Sequence, residues 1–215
     1  ISLLEEMRRL TLELSGSLLF DQRYSESSSL AALARKYFHM RRDVTSAVNP
    51  KDETRRTELI ALGAPLDEGM RKYIAWCRDS GGSSEGLLAK LACLQVGNEY
   101  SFSEDEAIAH GNVTFISTNE PIAVALTWTL LILSQMPDLR RALRDHAQLL
   151  NSVVNESLRL FTPNALMSRI TTRDTLLSGI PLPARCELVL CPFLAHRDAK
   201  VFPQPLQFLP SRWQS

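Results

Sequence analysis

A mainly α domain with a minor β element is predicted by three features of the 215-residue sequence. Apolar residues recur at helical spacing through the first three quarters of the chain. Within that region, Ser103-Glu104-Asp105-Glu106 forms a capping box, a serine followed three residues on by a glutamate, and opens a helical pattern that persists to Gln135. After Pro163 the character changes to short aliphatic runs separated by turn residues.

Leu3, Leu4, Met7, Leu10, Leu14 and Leu18 form a helical stripe over residues 1–20. The serine-rich stretch 25–29 can cap a second helix from about Leu30 to Met40, and Asn49-Pro50-Lys51-Asp52 breaks the pattern. A charged helical region runs from Glu53 to Cys77, with an interruption expected near Gly63 and Pro65. Gly81-Gly82-Ser83-Ser84 marks a turn before a short helix from Glu85 to Leu94. The capped helix at 103–135 is about 48 Å long at 1.5 Å per residue. Helices from Pro137 to His146 and from Leu149 to Leu160 follow. Thr171-Thr172-Arg173-Asp174 and Gly179 read as turns between short strands, Glu187–Leu190 as a strand, and the proline-rich stretch from Asp198 to Trp213 as fixed coil. There are no internal repeats, and the whole of 1–215 reads as a single domain.

Lys plus Arg and Asp plus Glu are 24 each, so a balanced chain gives no electrostatic reason to expect nucleic acid as a partner. Cys77, Cys93, Cys186 and Cys191 lack any paired or zinc-binding spacing and read as reduced, mostly buried thiols of an intracellular protein, with no metal site. The longest mostly apolar run, Ile122 to Leu133, is shorter than the ~20 residues that span a bilayer, so no membrane anchor is expected within the chain. The chain opens on Ile1 rather than Met, and further N-terminal sequence, with any anchor in it, is expected to precede it. The expected location is the cytoplasm or the cytosolic face of the endoplasmic reticulum.

Two charge patterns carry the chemistry. Glu156 and Arg159 are three residues apart on one helical face, a spacing that lets the side chains meet. Downstream lies Phe208-Leu209-Pro210-Ser211-Arg212-Trp213. Together these resemble the Glu-x-x-Arg helix and the Phe-x-Pro-x-Arg-Trp segment of the cytochrome P-450 family. The intervening segments are similar in the same order. Asn155–Leu160 resembles helix K, Arg169 the strand arginine that pairs with a heme propionate, and Ala195-His196-Arg197-Asp198 with Val201-Phe202-Pro203 the stretch before the second arginine. Leu126-Thr127-Trp128 and Gln135-Met136-Pro137 resemble helix I and its exit into helix J. The resemblance implies a partial P-450-like fold, from helix D or E to helix K with short strands. It also implies a structural Glu156–Arg159–Arg212 network, and it looks more eukaryotic than bacterial.

Two departures shape the functional expectation. The family's iron-ligating thiolate comes from a loop after the Phe-x-Pro-x-Arg segment, and none of the four cysteines lies in such a context. At the family's helix I acid–alcohol pair stands Ser117-Thr118-Asn119-Glu120-Pro121, with Glu120 as the acid and proline in place of the alcohol. These departures from the family pattern lead to the expectation of a heme-free protein that binds a lipophilic terpenoid- or polyketide-like molecule and promotes a redox-neutral cyclisation or rearrangement in secondary metabolism, without cofactor. Glu120 and Asn119 would be catalytic, and His110, Thr114, Ser117, Thr118, Pro121, Leu166 and Met167 would contact the substrate. Two alternatives stand beside it. One is an incomplete heme-thiolate monooxygenase, with Arg169 on the heme and a reductase as partner; the other is a non-catalytic binding protein on the same scaffold. A buried, satisfied polar seam between helices is the bland reading of the strip from His110 to Pro121.

Overall fold

The computed structural model describes residues 2–46, 53–80, 85–97 and 99–214. The expected break at 49–52 and the expected turn at 81–84 lie outside them. The chain forms two compact units, 1–120 and 121–215.

The first unit is helical. It contains α1 (Leu3–Leu19), α2 (Ser27–Ser46), α3 (Glu53–Asp79), α4 (Leu87–Ala92), a small hairpin of β1 (Gln95–Val96) and β2 (Glu99–Tyr100), and the first half of α5 (Glu104–Gln135). Its core draws Leu19 and Phe20 from the end of α1, Leu30, Ala31 and Ala34 from α2, and Leu88, Ala89 and Ala92 from α4. Leu66, Met70, Tyr73, Ile74 and Cys77 recur every three or four residues on α3, so one continuous stripe of that helix is buried. Tyr73 packs edge-on against Phe20 and Tyr24, with centroids 5.3 and 5.2 Å away, and its hydroxyl accepts a 2.7 Å bond from the Asp21 N–H. The buried Asp21 carboxylate receives the N–H groups of Arg23 and Glu85, each at 2.8 Å, so the loop after α1 is tied to the start of α4.

The second unit holds the rest of α5, α6 (Pro137–Asp145), α7 (Leu149–Leu160), α8 (Pro192–Ala195), four short strands and a 3-10 turn at Pro210–Trp213. β3 (Met167–Ile170) pairs antiparallel with β6 (Glu187–Leu190), Arg169 opposite Leu188. β4 (Thr175–Leu177) and β5 (Ile180–Leu182) make a tight hairpin in which Ser178 and Gly179 both have positive φ, 51° and 82°. That is the backbone twist a two-residue hairpin turn demands. Trp128 of α5 stacks on Phe161 at the end of α7, 4.3 Å between centroids, and Thr129 and Ser157 share a 2.8 Å hydroxyl bond.

Several expectations need correction. α3 runs unbroken through Gly63 and Pro65: the proline forfeits a single backbone bond, and the buried stripe from Leu66 to Cys77 that anchors the helix lies wholly on its C-terminal side. α2 begins at Ser27, with Ser27 itself in the helix, and extends past Met40 to Ser46. The coil read from Asp198 to Trp213 ends in a 3-10 turn, and β1–β2 had no signal strong enough to be read. Only Cys77 is buried; Cys93, Cys186 and Cys191 are half-buried, and all four are free thiols. α5 has the length and composition of a membrane span, a test that the core helix of a soluble protein also passes.

Candidate functional site

In the first unit, α1 meets α5 through a polar seam. The capping box opens α5 as its spacing requires: Ser103 Oγ accepts the Glu106 N–H at 3.3 Å, and the Glu106 carboxylate accepts the Ser103 N–H at 2.9 Å. One turn follows another to Asn119, which is buried. Its Oδ1 accepts a 3.1 Å bond from Ser15 of α1, and its Nδ2 donates back to the Phe115 carbonyl. Thr118 donates to the Thr114 carbonyl at 2.8 Å and lies 3.2 Å from the Ser15 hydroxyl. Glu120 is gripped by Arg8 of α1: Nε lies 3.2 and 3.0 Å from its two oxygens, and Nη2 lies 2.5 Å from Oε1. Nη1 of the same guanidinium reaches Glu5 at 2.5 Å. The hydrogen bond to Glu120 is the main reason the Arg8 guanidinium is pushed above its ordinary value.

The expected strip does not stay together. At about 100° per residue, His110, Thr114 and Ser117 share one side of α5, and Asn119 lies roughly on the opposite side. His110 and Ser117 are exposed, Thr114 half-buried, and Asn119 faces the α1 seam. His110 packs its ring edge-on against Phe102, 5.0 Å between centroids. Ser117 donates to the Thr114 carbonyl at 3.2 Å. Asn119 has its carbonyl and amide engaged by protein, and Glu120 has both oxygens engaged; neither is presented as a free group. Thr118 also belongs to the seam. Pro121 begins the second unit, where α5 runs on through it.

In the second unit, Glu156, Arg159 and Arg212 come together. Glu156 is fully buried and accepts five bonds: Arg159 Nε and Nη2 at 2.9 Å each, Arg212 Nε at 3.2 Å, the Leu209 N–H at 2.8 Å and Trp213 Nε1 at 3.0 Å. Burial by itself pushes this carboxyl up; the bonds from Arg159, Leu209 and Trp213, with the Arg159 charge, outweigh it and lower it to about 2. Arg159 spends its other donors on the carbonyls of His196, Pro205 and Gln207 at 2.7, 2.7 and 3.0 Å. One buried ion pair on α7 thus pins the chain from 196 to 213.

Leu166 and Met167 are exposed, at the entrance to and start of β3. Arg169, on the same strand, is exposed, donates at 2.8 Å to the Ser168 carbonyl, and has no carboxylate partner among the described residues. Asp174, the carboxylate it could have served, instead accepts the Ala184 N–H at 2.8 Å. Among the described residues no three His, Cys, Asp or Glu side chains cluster as a metal site.

Sequence reasoning did not identify Arg8, Ser15 or the Trp213 indole as members of these sites. Arg8 and Ser15 lie more than 100 residues from their partners, and α1 carries Glu5, Glu6 and Arg9 as equally charged neighbours.

The sequence model of the family described as Cytochrome P450 matches residues 1–215. Cyclooctatin synthase of Streptomyces melanosporofaciens is 30% identical over 174 residues, covering 72% of this chain and 37% of that protein. The mitochondrial sterol 26-hydroxylase of Mus musculus is 35% identical over 107 residues, 41% of this chain and 20% of that protein. Among solved structures, CYP109E1 from Bacillus megaterium in complex with corticosterone matches 98% of this chain and 60% of its own, with TM-score 0.76 and 19% identity. The open form of cytochrome P450 Eryk from S. erythraea matches 96% and 50%, with TM-score 0.77 and 21% identity. The chain therefore spans well under half of these curated relatives and about half of the solved chains.

Proposed function

The chain belongs to the cytochrome P450 family, and from that membership we propose that it supplies the substrate-facing helix and the ionic lock of a heme-thiolate monooxygenase acting on a lipophilic small molecule. The observation that carries this reading is Arg169. A guanidinium standing exposed on a strand, with no carboxylate partner among the described residues, is suited to an anionic group brought by something else. Asp174, five residues on, accepts the Ala184 N–H on one oxygen and makes no ion pair with Arg169.

If heme is bound, Arg169 would hold one of its propionates by charge-assisted hydrogen bonds. Heme, when bound through a cysteine thiolate, supplies oxygen activation. The chain's own residues do the rest. The Glu156–Arg159–Arg212 network fixes the segment from 196 to 213 against α7, the stretch that in the family leads toward the ligand loop. His110, Thr114 and Ser117 line the open side of α5 with an imidazole and hydroxyls beside the apolar Val113, which suits a mostly apolar ligand with few oxygens. A relative named for a sterol substrate supports the same ligand class.

A second reading, redox-neutral cyclisation without heme, is favoured by Pro121. Proline offers neither the hydroxyl nor the backbone N–H of the residue it replaces at that position of α5. One experiment separates the two. The full-length protein is reduced and exposed to carbon monoxide, and its turnover is followed with and without oxygen. A thiolate-type heme band at one heme per chain and oxygen-dependent turnover are expected. Absence of that band, with conversion of a substrate to an isomer of equal mass in the absence of oxygen, sinks the monooxygenase and establishes the second reading.

A further inference from the structure

Glu120 is the single Asp, Glu, Lys or Arg between His110 and the end of the first unit, so the charge that the open side of α5 presents depends on it. It is not hidden: 44% of its side chain is exposed. It lies on nearly the same line of α5 as Val113, seven residues earlier and 62% exposed, and about 60° round the helix from Ser117. Yet both of its oxygens are held by Arg8. From this geometry we infer that Arg8 is a specificity-determining residue. By offsetting the charge of Glu120, it biases the α5 strip toward neutral lipophiles and against cationic ones. The inference rests on the reading of that strip as substrate-facing.

The reasoning is electrostatic. A carboxylate beside an apolar groove recruits ammonium-bearing amphiphiles, and a guanidinium clamped on it removes that attraction. Glu5 on α1 also touches Arg8, so the trio of Glu5, Arg8 and Glu120 carries one net negative charge, with Glu120 the member on the strip side of α5. Removing Arg8 makes the cluster one unit more negative whatever the contribution of Glu5. At about 7 Å, with screening between that of water and that of a protein interior, one unit charge changes the affinity for a monovalent cation by about five- to tenfold.

The test measures affinities of the full-length protein for 1-decanol and for decyltrimethylammonium, a fixed cation whose nitrogen cannot ligate iron. The wild type should prefer decanol. Arg8→Gln should raise the cation-to-alcohol affinity ratio by about five- to tenfold, and Glu120→Gln in the same background should bring it back. Glu120→Gln alone leaves Arg8 less opposed and should push the ratio below wild type, so this arm decides the matter if Arg8→Gln does not fold. Ratios that stay within about twofold of wild type in every folded variant, with both probes still bound, overturn the inference and leave the strip a ligand site. Absence of saturable binding for either probe overturns the reading of the strip, and the inference with it.

Discussion

Truncating Glu156 to alanine should be the most damaging single change in the second unit. The carboxylate is fully buried, and its removal leaves Arg159, 1% exposed at the side chain, and Arg212, 13% exposed, without their shared counter-charge. Stranding buried charge in this way costs about 3–5 kcal/mol, a large part of the ~5–15 kcal/mol that holds a domain folded. The proton equilibrium gives a second, independent figure. The carboxyl is lowered from 4.5 to about 2, and at about 1.4 kcal/mol per unit that corresponds to about 3 kcal/mol of stability. Between those two pH values the unfolded chain binds the proton and the folded chain does not. The contribution is therefore fully present above about pH 4.5 and disappears as pH falls toward 2. The assay is chemical denaturation of the full-length protein and of Glu156→Ala, across pH 2 to 7, with matched occupancy of any bound ligand because a bound ligand adds its own stability. The variant should lose about 3–5 kcal/mol at neutral pH and should show a shallower fall in acid, since the titration of Glu156 is gone. Equal stability and an equal acid slope would refute the reasoning. Poor expression of Glu156→Ala directs the same measurement to Glu156→Gln, which keeps the shape and loses the charge.

Gly86→Ala should destabilise the first unit by about 1–3 kcal/mol, read as a lower denaturation midpoint. Its Cβ would lie 2.7 Å from both the Leu19 carbonyl oxygen and the Asp21 nitrogen, backbone atoms that cannot step aside, and 2.5 Å from the Tyr73 hydroxyl. Pro121→Ala should stabilise the protein by about 1–3 kcal/mol, seen as a raised melting temperature, because it returns an N–H to the Ser117 carbonyl within a continuous α5. An unchanged or lower melting temperature would mean that the proline ring packs well enough to offset the missing bond.

Much of this protein was legible as a string. Helical periodicity, the Ser103–Glu106 box and the aliphatic runs after Pro163 define the fold class, because they act through local backbone geometry over a few residues. The i, i+3 spacing of Glu156 and Arg159 placed the two halves of the ion pair on one helical face, and the motif at 208–213 identified the second arginine. Packing decided the rest. α3 crosses Pro65 even though its buried stripe begins only at Leu66, so the loss of one backbone bond does not end the helix as a local breaker rule expects. Asn119 and Glu120 are adjacent in sequence and looked like one reactive pair. Their directions on α5 differ by about 100°, and only the placement of α1 shows that one meets Ser15 and the other Arg8. Likewise, the chain records that Arg169 and Asp174 are five residues apart, while the turns between β3, β4 and β6 determine that Asp174 meets the Ala184 N–H instead. Pairings across more than a hundred residues leave no trace in local spacing, because the tertiary fold alone sets which polar groups lose water together and must satisfy one another.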